Sequence, residues 1–119
     1  MGDNETSRIG IVGAGAMGRG IAQVAAAGGC SVLLYDARSE ATAEAIAFIG
    51  GMLDRAVEKG RMESEDAEAA KSRLAAADDL AAFADADVVI EAVSEDIELK
   101  SKVFSALEEA TRPDCILAS

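Results

Sequence analysis

The most constraining feature of the chain is a glycine-rich loop that follows a short apolar segment. Its glycines, Gly13, Gly15 and Gly18, have the spacing G-x-G-x-x-G. Gly13 allows a sharp turn after a strand, because a glycine adopts backbone angles that a side chain resists. Gly15 lets an anionic group approach the backbone, and Gly18 lets the next helix pack closely on the strand. This spacing predicts a strand, a loop and a helix whose N-terminus accepts a pyrophosphate.

The segment after the loop supplies the other half of such a site. A helix follows, and the next strand, 31–35, leads into Asp36, eighteen residues after Gly18 and close to the spacing of about 20 at which an acid meets the ribose hydroxyls. A carboxylate there favours NAD, because it would repel the 2′-phosphate of NADP; Arg38 is the only nearby cation that argues otherwise. A glycine-rich surface turn, the alternative, would not require these elements in register. The predicted cofactor-binding residues of this unit are Gly13, Ala14, Gly15, Ala16, Met17, Gly18 and Asp36.

The remaining segments alternate between helical and strand periods, which is typical of βαβ units and a parallel sheet. The predicted helices are 39–59, 64–73 and 97–110, the first two capped by Ser39 and Ser64, and the predicted strands are 74–77, 87–93 and 115–118, with a helical turn after Asp79. The predicted apolar positions of helix 39–59 are Ala43, Ile46, Ala47, Gly50, Leu53 and Val57.

These elements predict an α/β fold of the Rossmann type, a doubly wound parallel sheet with helices on both faces. Segment 87–93 contains the β-branched run Val88-Val89-Ile90, and a continuous run of this kind is typical of a strand buried on both faces. In the strand order 3-2-1-4-5 the first and fourth strands flank the crevice where ligands bind, so the residues just past Val93 face the cofactor. The sheet is predicted to be incomplete at its C-terminal edge, and the isolated chain is expected to self-associate through that exposed edge.

Length and charge restrict the classes of function. At 119 residues the chain is one domain at most, and we predict a disordered tail over 1–7 and a cofactor-binding domain over 8–119. A net charge of −11 argues against nucleic acid as a partner, and no segment approaches the roughly 20 apolar residues of a membrane span.

Cys30 and Cys115 lack metal-ligand spacing, so we expect no metal site; as reduced, buried thiols they suit a cytoplasmic protein.

Two motifs stand out when the chain is considered whole: GAGAMGRGIAQ at 13–23 and EAVSEDIELK at 91–100. Together they resemble the 3-hydroxyacyl-CoA dehydrogenase family, and the resemblance covers about 8–119. It includes the long helix ending in EKG at 58–60, an insertion that simpler dinucleotide folds lack. The first motif alone would also admit 3-hydroxyacid dehydrogenases of the 6-phosphogluconate-dehydrogenase-like group, whereas the second motif and the insertion favour the acyl-CoA enzymes.

The resemblance implies an enzyme of fatty-acid β-oxidation that oxidises the C3 hydroxyl of an L-3-hydroxyacyl-CoA, passing hydride to NAD while a histidine takes the proton. By the same resemblance, Glu95 and Lys100 contact NAD, and Lys59 lies near the CoA phosphates. Met52 departs from the pattern, because many members carry a serine there that also touches CoA. Each of these three residues has an ordinary alternative. Glu95 would be an acidic residue favoured at the start of a helix, and Lys100 and Lys59 would be solvated helix lysines.

The chain contains no histidine, although a general base must titrate near the working pH. The family's catalytic serine, histidine, glutamate and asparagine all follow the match to Ser119, so no catalytic residue is assigned. We therefore expect the NAD-binding portion of a dehydrogenase, inactive alone, without the helical domain that completes the acyl-CoA pocket and usually dimerises. The alternative is a stand-alone NAD-binding module.

Overall fold

Five parallel strands form one sheet in the computed structural model, which describes residues 7–92 and 97–118 and, for 97–100, the backbone alone. The strands are β1 (Arg8–Val12), β2 (Ser31–Tyr35), β3 (Leu74–Ala76), β4 (Val88–Glu91) and β5 (Ile116–Ala118). The helices are α1 (Ala16–Ala27), α2 (Ser39–Glu58), α3 (Ser64–Ser72) and α4 (Ile97–Ala110), with a 3-10 helix at Leu80–Asp85. The strand order is β3-β2-β1-β4-β5, which confirms the predicted order.

Two apolar clusters cover opposite faces of the sheet. Successive residues of a strand point to opposite faces, so Ile11 and Val12 of β1 belong to different clusters. Ile11 packs with residues of α1, α2 and α3, including the completely buried Ile49. Val12 packs with Phe83 of the 3-10 helix and Leu107 of α4, both completely buried. Helices therefore lie on both faces, and the doubly wound α/β class is confirmed.

The predicted caps of α2 and α3 are wrong by one residue. Ser39 and Ser64 are the first residues of their helices, and the preceding Arg38 and Glu63 make no capping side-chain hydrogen bond. At α2 the Asp36 carboxylate accepts a hydrogen bond from the Arg38 N–H at 2.9 Å. The turn before α2 is therefore held by the side chain that follows β2, and the helix starts one residue earlier than it would with Ser39 as its cap.

The buried face of α2 agrees with the predicted one only in part: Leu53 is buried, and Ile46 and Val57 pack against the core. Ala43 and Ala47 are exposed, whereas Ala45 and Ile49 are completely buried. Alanines occur on all sides of this helix, so the apolar pattern does not distinguish one face clearly. The larger apolar residues Ile46, Ile49, Leu53 and Val57 mark the face that packs on the sheet.

Some predicted features lie at or beyond the limits of the described residues. Of the predicted tail 1–7 only Ser7 is described, and its carbonyl accepts a hydrogen bond from the Ser31 N–H at 3.0 Å.

Cys30 and Cys115 are free thiols, and both are half-buried. Within the described ranges, no helix combines the length and the apolar character that crossing a membrane requires.

The Asp87 carboxylate connects two segments of the chain at the end of the sheet where the strands begin. Asp87 accepts hydrogen bonds from the Arg8 N–H and from Arg112 Nη2, each at 2.8 Å. These bonds connect β1 to the loop before β5, across the start of β4. Two donors lower the pKa of Asp87 below its ordinary value. The backbone N–H of Arg8 has the larger effect, and the Arg112 guanidinium has the next largest.

We expect Asp87→Asn to lower stability in a pH-dependent way. Because the pKa of Asp87 is lowered in the folded state, its contribution is complete above the ordinary carboxyl pKa of about 4 and disappears as the pH falls through the folded value. Urea unfolding of parent and variant should therefore differ at pH 7, and the difference should shrink as the pH falls below about 4. Asp85→Asn is the control, because the Asp85 carboxylate has no partner among the described residues. A difference that stays constant with pH would contradict the prediction.

Candidate cofactor-binding site

The glycine loop turns sharply at the end of β1 and leads into α1. Gly13 has a φ of 112°, in the region that favours glycine, and its N–H donates to the Tyr35 carbonyl at 2.7 Å. A Cβ at Gly18 would lie 1.8 Å from the carbonyl oxygen of Gly13. Helix α1 therefore crosses the loop at a distance that only a glycine permits. This close crossing determines where the first turn of α1 lies.

The N-terminus of α1 is open to a ligand. Gly15 occupies the cap position, no described side chain caps the helix, and its first turn contains no acidic residue. A Cβ at Gly15 would meet nothing within 4 Å, and Gly15, Ala16 and Met17 are all exposed. Uncapped N–H groups at the positive end of a helix dipole bind anions. The residues present therefore fit the pyrophosphate of a dinucleotide.

Asp36 connects the end of β2 to the glycine loop. Its Oδ2 accepts a hydrogen bond from the Ala14 N–H at 2.8 Å, and its Oδ1 accepts one from the Arg38 N–H at 2.9 Å. A carboxylate has about four acceptor positions, so each oxygen can still accept a second hydrogen bond. The half-buried Asp36 can thus orient the loop and receive two ribose hydroxyls at the same time.

Arg38, the cation that argued for NADP, is held by another side chain. Its Nη2 lies 3.3 Å from Oε1 of Glu44, one turn into α2, and both side chains are exposed. A surface ion pair of this kind is worth about 0–1 kcal/mol. The Glu44 carboxylate therefore biases the Arg38 side chain towards α2 without preventing it from moving.

An open cleft of about 490 Å³ lies beside the loop, where β1, β2 and β4 end. Gly13, Gly15 and Asp36 form part of its lining, and most of the other lining side chains, such as Leu80 and Val103, are apolar. This cleft is at the point where the strand order reverses, which is the expected place for a nucleotide in such a sheet. An apolar wall beside a carboxylate suits an adenine and its ribose.

The described residues do not test the two predicted NAD contacts that follow β4. Glu95 lies outside the described residues, and Lys100 is placed in α4 by its backbone alone. Lys59 is exposed at the far end of α2, whose 20 residues span about 30 Å from the end near Asp36. Across the described part of the chain, no group of three or more histidine, cysteine or acidic residues could hold a metal ion.

Three residues near the site were not identified from the sequence. Lys102 of α4 lines the cleft, and Arg19 donates from Nε to the carbonyl of Ala14 in the loop at 3.1 Å. Glu91, at the end of β4, is only 2% exposed although the sequence places it in an apolar strand. The apolar spacing of Val103 and Leu107 in α4 does not indicate Lys102, but the place of Arg19 directly after the third glycine was an available signal.

We expect Gly18→Ala to abolish cofactor binding and to destabilise the fold. The new methyl group would overlap the Gly13 carbonyl, so α1 must move away from the loop. Gly20→Ala in the same helix is the matched control, because a Cβ there meets nothing within 4 Å. That control should be stabilised by roughly 0.5–1 kcal/mol. Thermal unfolding and titration with NAD check both variants, and a Gly18→Ala variant with the parent's affinity would contradict the assigned crossing.

Comparison with known proteins agrees with this geometry. The sequence profile of the family described as "3-hydroxyacyl-CoA dehydrogenase, NAD binding domain" matches residues 8–119. The chain is 41% identical over 111 residues to a 3-hydroxyadipyl-CoA dehydrogenase of Escherichia coli, a match that covers 93% of this chain and 23% of that protein. It is also 41% identical over 112 residues to a 3-hydroxybutyryl-CoA dehydrogenase of Bradyrhizobium diazoefficiens, with 94% and 38% covered.

Solved structures give the same result. A 3-hydroxybutyryl-CoA dehydrogenase of Escherichia coli K12 superposes with a TM-score of 0.91 at 41% identity, covering 95% of this chain and 24% of that one. The (S)-3-hydroxybutyryl-CoA dehydrogenase of Ralstonia eutropha gives 0.90 at 30% identity, with 96% and 41% covered. The chain thus spans from 23% to 41% of the length of these proteins. The resemblance carried by the two motifs is confirmed, and the chain belongs to the family of NAD-binding domains of 3-hydroxyacyl-CoA dehydrogenases.

Proposed function

We propose that the chain is the NAD-binding portion of an enzyme that oxidises an L-3-hydroxyacyl-CoA to the 3-oxoacyl-CoA. The observation that carries the proposal is the uncapped N-terminus of α1 beside Asp36, whose oxygens keep acceptor capacity for a ribose. The names of the relatives, 3-hydroxyadipyl-CoA and 3-hydroxybutyryl-CoA dehydrogenase, support the class of substrate.

Each part of the site has one task in this proposal. NAD, when bound, supplies the acceptor for the hydride that leaves C3 of the substrate. The N–H groups of Gly15, Ala16 and Met17 bind the pyrophosphate, and Asp36 accepts from the adenine ribose. Gly13 and Gly18 keep the loop and helix in place for this contact, with Ala14 held between them. Glu95 and Lys100 remain predicted contacts to NAD.

Lys59 remains the candidate for a contact with the CoA phosphates. The neighbouring surface of α2 supports this proposal, because Arg55 lies one turn earlier on the same side of the helix. The Arg55 Nη1 approaches the sulfur of Met52 to 3.3 Å. Arg55 therefore supplies a hydrogen-bond donor beside the position where Met52 replaces the serine of the family's pattern.

The wider setting of the enzyme is part of the same proposal. A relative named as a glyoxysomal fatty acid β-oxidation multifunctional protein, 37% identical over 113 residues, supports a role in β-oxidation. The free thiols of Cys30 and Cys115 support a cytoplasmic location. We propose a homodimer for the longer enzyme. For the chain alone we propose self-association through the free edge of β5, where Ile116 is 62% exposed.

The absence of histidine from all 119 residues favours one second candidate, a stand-alone module that binds NAD without catalysis. The natural reading frame distinguishes the two proposals. A coding sequence that continues past Ser119 and includes a histidine supports the enzyme, and a stop codon directly after Ser119 supports the module.

We expect the chain to bind NAD more tightly than NADP, as isothermal titration calorimetry can measure. Asp36→Asn should weaken NAD binding roughly 10- to 100-fold, because hydrogen bonds to a charged group are worth about 1.5–3 kcal/mol. Glu44→Gln should raise the affinity for NADP about two- to fivefold by releasing Arg38. Glu58→Gln, at the far end of α2, is the control. Equal affinity of the parent for both cofactors would refute the role given to Asp36.

We expect no turnover by the 119-residue chain, because it has no histidine to act as the general base. The assay follows NADH oxidation in the presence of acetoacetyl-CoA. Binding of NADH, measured by its fluorescence, shows that the cofactor site is intact in the same sample. Consumption of NADH above the background rate would overturn the assignment of catalysis to residues outside this chain.

A further inference from the structure

We propose that Arg19 and Phe48 act as a clamp that positions the pyrophosphate-binding loop through the Ala14 carbonyl. This inference rests on the proposed NAD site and adds two positioning residues to it. Ala14 is only 1% exposed, and its two polar backbone groups are held from different elements. Its N–H donates to Asp36 at the end of β2, and its carbonyl accepts from Arg19 Nε of α1 at 3.1 Å.

The Arg19 side chain is itself held by α2. Its guanidinium carbon lies 5.1 Å from the centroid of the Phe48 ring, within the range of a cation–π interaction. Phe48 is 47% exposed and lies outside the two apolar clusters, so its burial in the core does not account for an aromatic ring at this position. Two contacts, one to the ring and one to the Ala14 carbonyl, therefore determine the orientation of this guanidinium within the described structure.

The geometry of the peptide bond explains how the clamp reaches the ligand. A trans peptide is planar, so the carbonyl of Ala14 and the N–H of Gly15 point in opposite directions within one rigid unit. Arg19 thus fixes the direction of the Gly15 N–H by holding the carbonyl on the other side. Asp36 fixes the preceding peptide in the same way, because the Ala14 N–H shares a plane with the Gly13 carbonyl.

Such a clamp reduces the free-energy cost of ordering a glycine loop when the ligand binds. Glycines lose more conformational freedom on ordering than other residues, and a ligand that must order the loop binds more weakly. A loop that is ordered before the ligand arrives avoids this cost. The clamp therefore acts on affinity for the pyrophosphate and leaves recognition of the adenosine to Asp36 and the cleft.

A simple charge effect is the competing explanation for Arg19, because any cation near the loop attracts an anion. The two explanations differ for Arg19→Lys, which keeps the charge but loses the planar guanidinium that donates from Nε and stacks on the ring. They also differ for Phe48→Leu, which leaves every charge in place. Arg61→Met is the matched control, because it removes an exposed arginine at the opposite end of the sheet.

The experiment measures the affinity of each variant of the 119-residue chain for NAD and for adenosine, by calorimetry. Hydrogen exchange of the Ala14 amide is followed by NMR without ligand. Arg19→Met should weaken NAD binding about five- to tenfold and Phe48→Leu about two- to threefold, while adenosine affinity changes less than twofold. Arg19→Lys should remain at least about threefold weaker than the parent for NAD. The Ala14 amide should exchange faster in all three variants and at the parent rate in Arg61→Met.

Three results would overturn the clamp. They are full recovery of NAD affinity in Arg19→Lys, an equal loss for NAD and adenosine, and unchanged exchange of the Ala14 amide in Arg19→Met. The exchange measurement needs no cofactor, so it decides the clamp even if the parent chain binds no NAD, a result that would refute the proposed function separately.

Discussion

The close crossing of α1 over the glycine loop is the constraint on which the rest of the structure depends. The helix can place its N-terminal N–H groups beside the ends of β1 and β2 only because Gly18 has no side chain to meet the Gly13 carbonyl. The same approach brings Ala22 and Ala26 of α1 into the cluster formed with Ile11 and Leu34. The absence of a side chain at Gly18 therefore allows both the packing of α1 on one face of the sheet and the opening of a ligand site beside the loop.

A protein with a net charge of −11 must bind an anionic cofactor through local features rather than through its overall field. The first turn of α1 has no acidic residue, although acidic residues occur in the first turns of α2 and α3. Of the nearby charges, Asp36 accepts a hydrogen bond from the loop, and Arg38 is paired with Glu44. In the proposed NAD complex, these charges would repel a phosphate at the 2′-position of the ribose and not the pyrophosphate.

The features that could be predicted from the sequence are those that backbone chemistry decides locally. The positive φ of Gly13, the order of the strands and the place of Asp36 follow from spacing, because a particular turn or ligand requires them. Which alanines of α2 are buried could not be predicted, because alanines lie on both its buried and its exposed sides. The stacking of Arg19 on Phe48 joins residues 29 positions apart on two helices, so it depends on how those helices pack and not on either local sequence.

The two hydrogen bonds that Asp36 accepts from the backbone have a consequence for changing cofactor preference. An acid at this position is usually treated as a specificity element that can be exchanged for a small or basic residue. Here the exchange would also remove a support of the loop that receives the phosphates. A redesign towards NADP would therefore have to provide a new acceptor for the Ala14 N–H as well as a cation. Any substitution of Asp36 would therefore alter the order of the loop together with its proposed effect on cofactor choice.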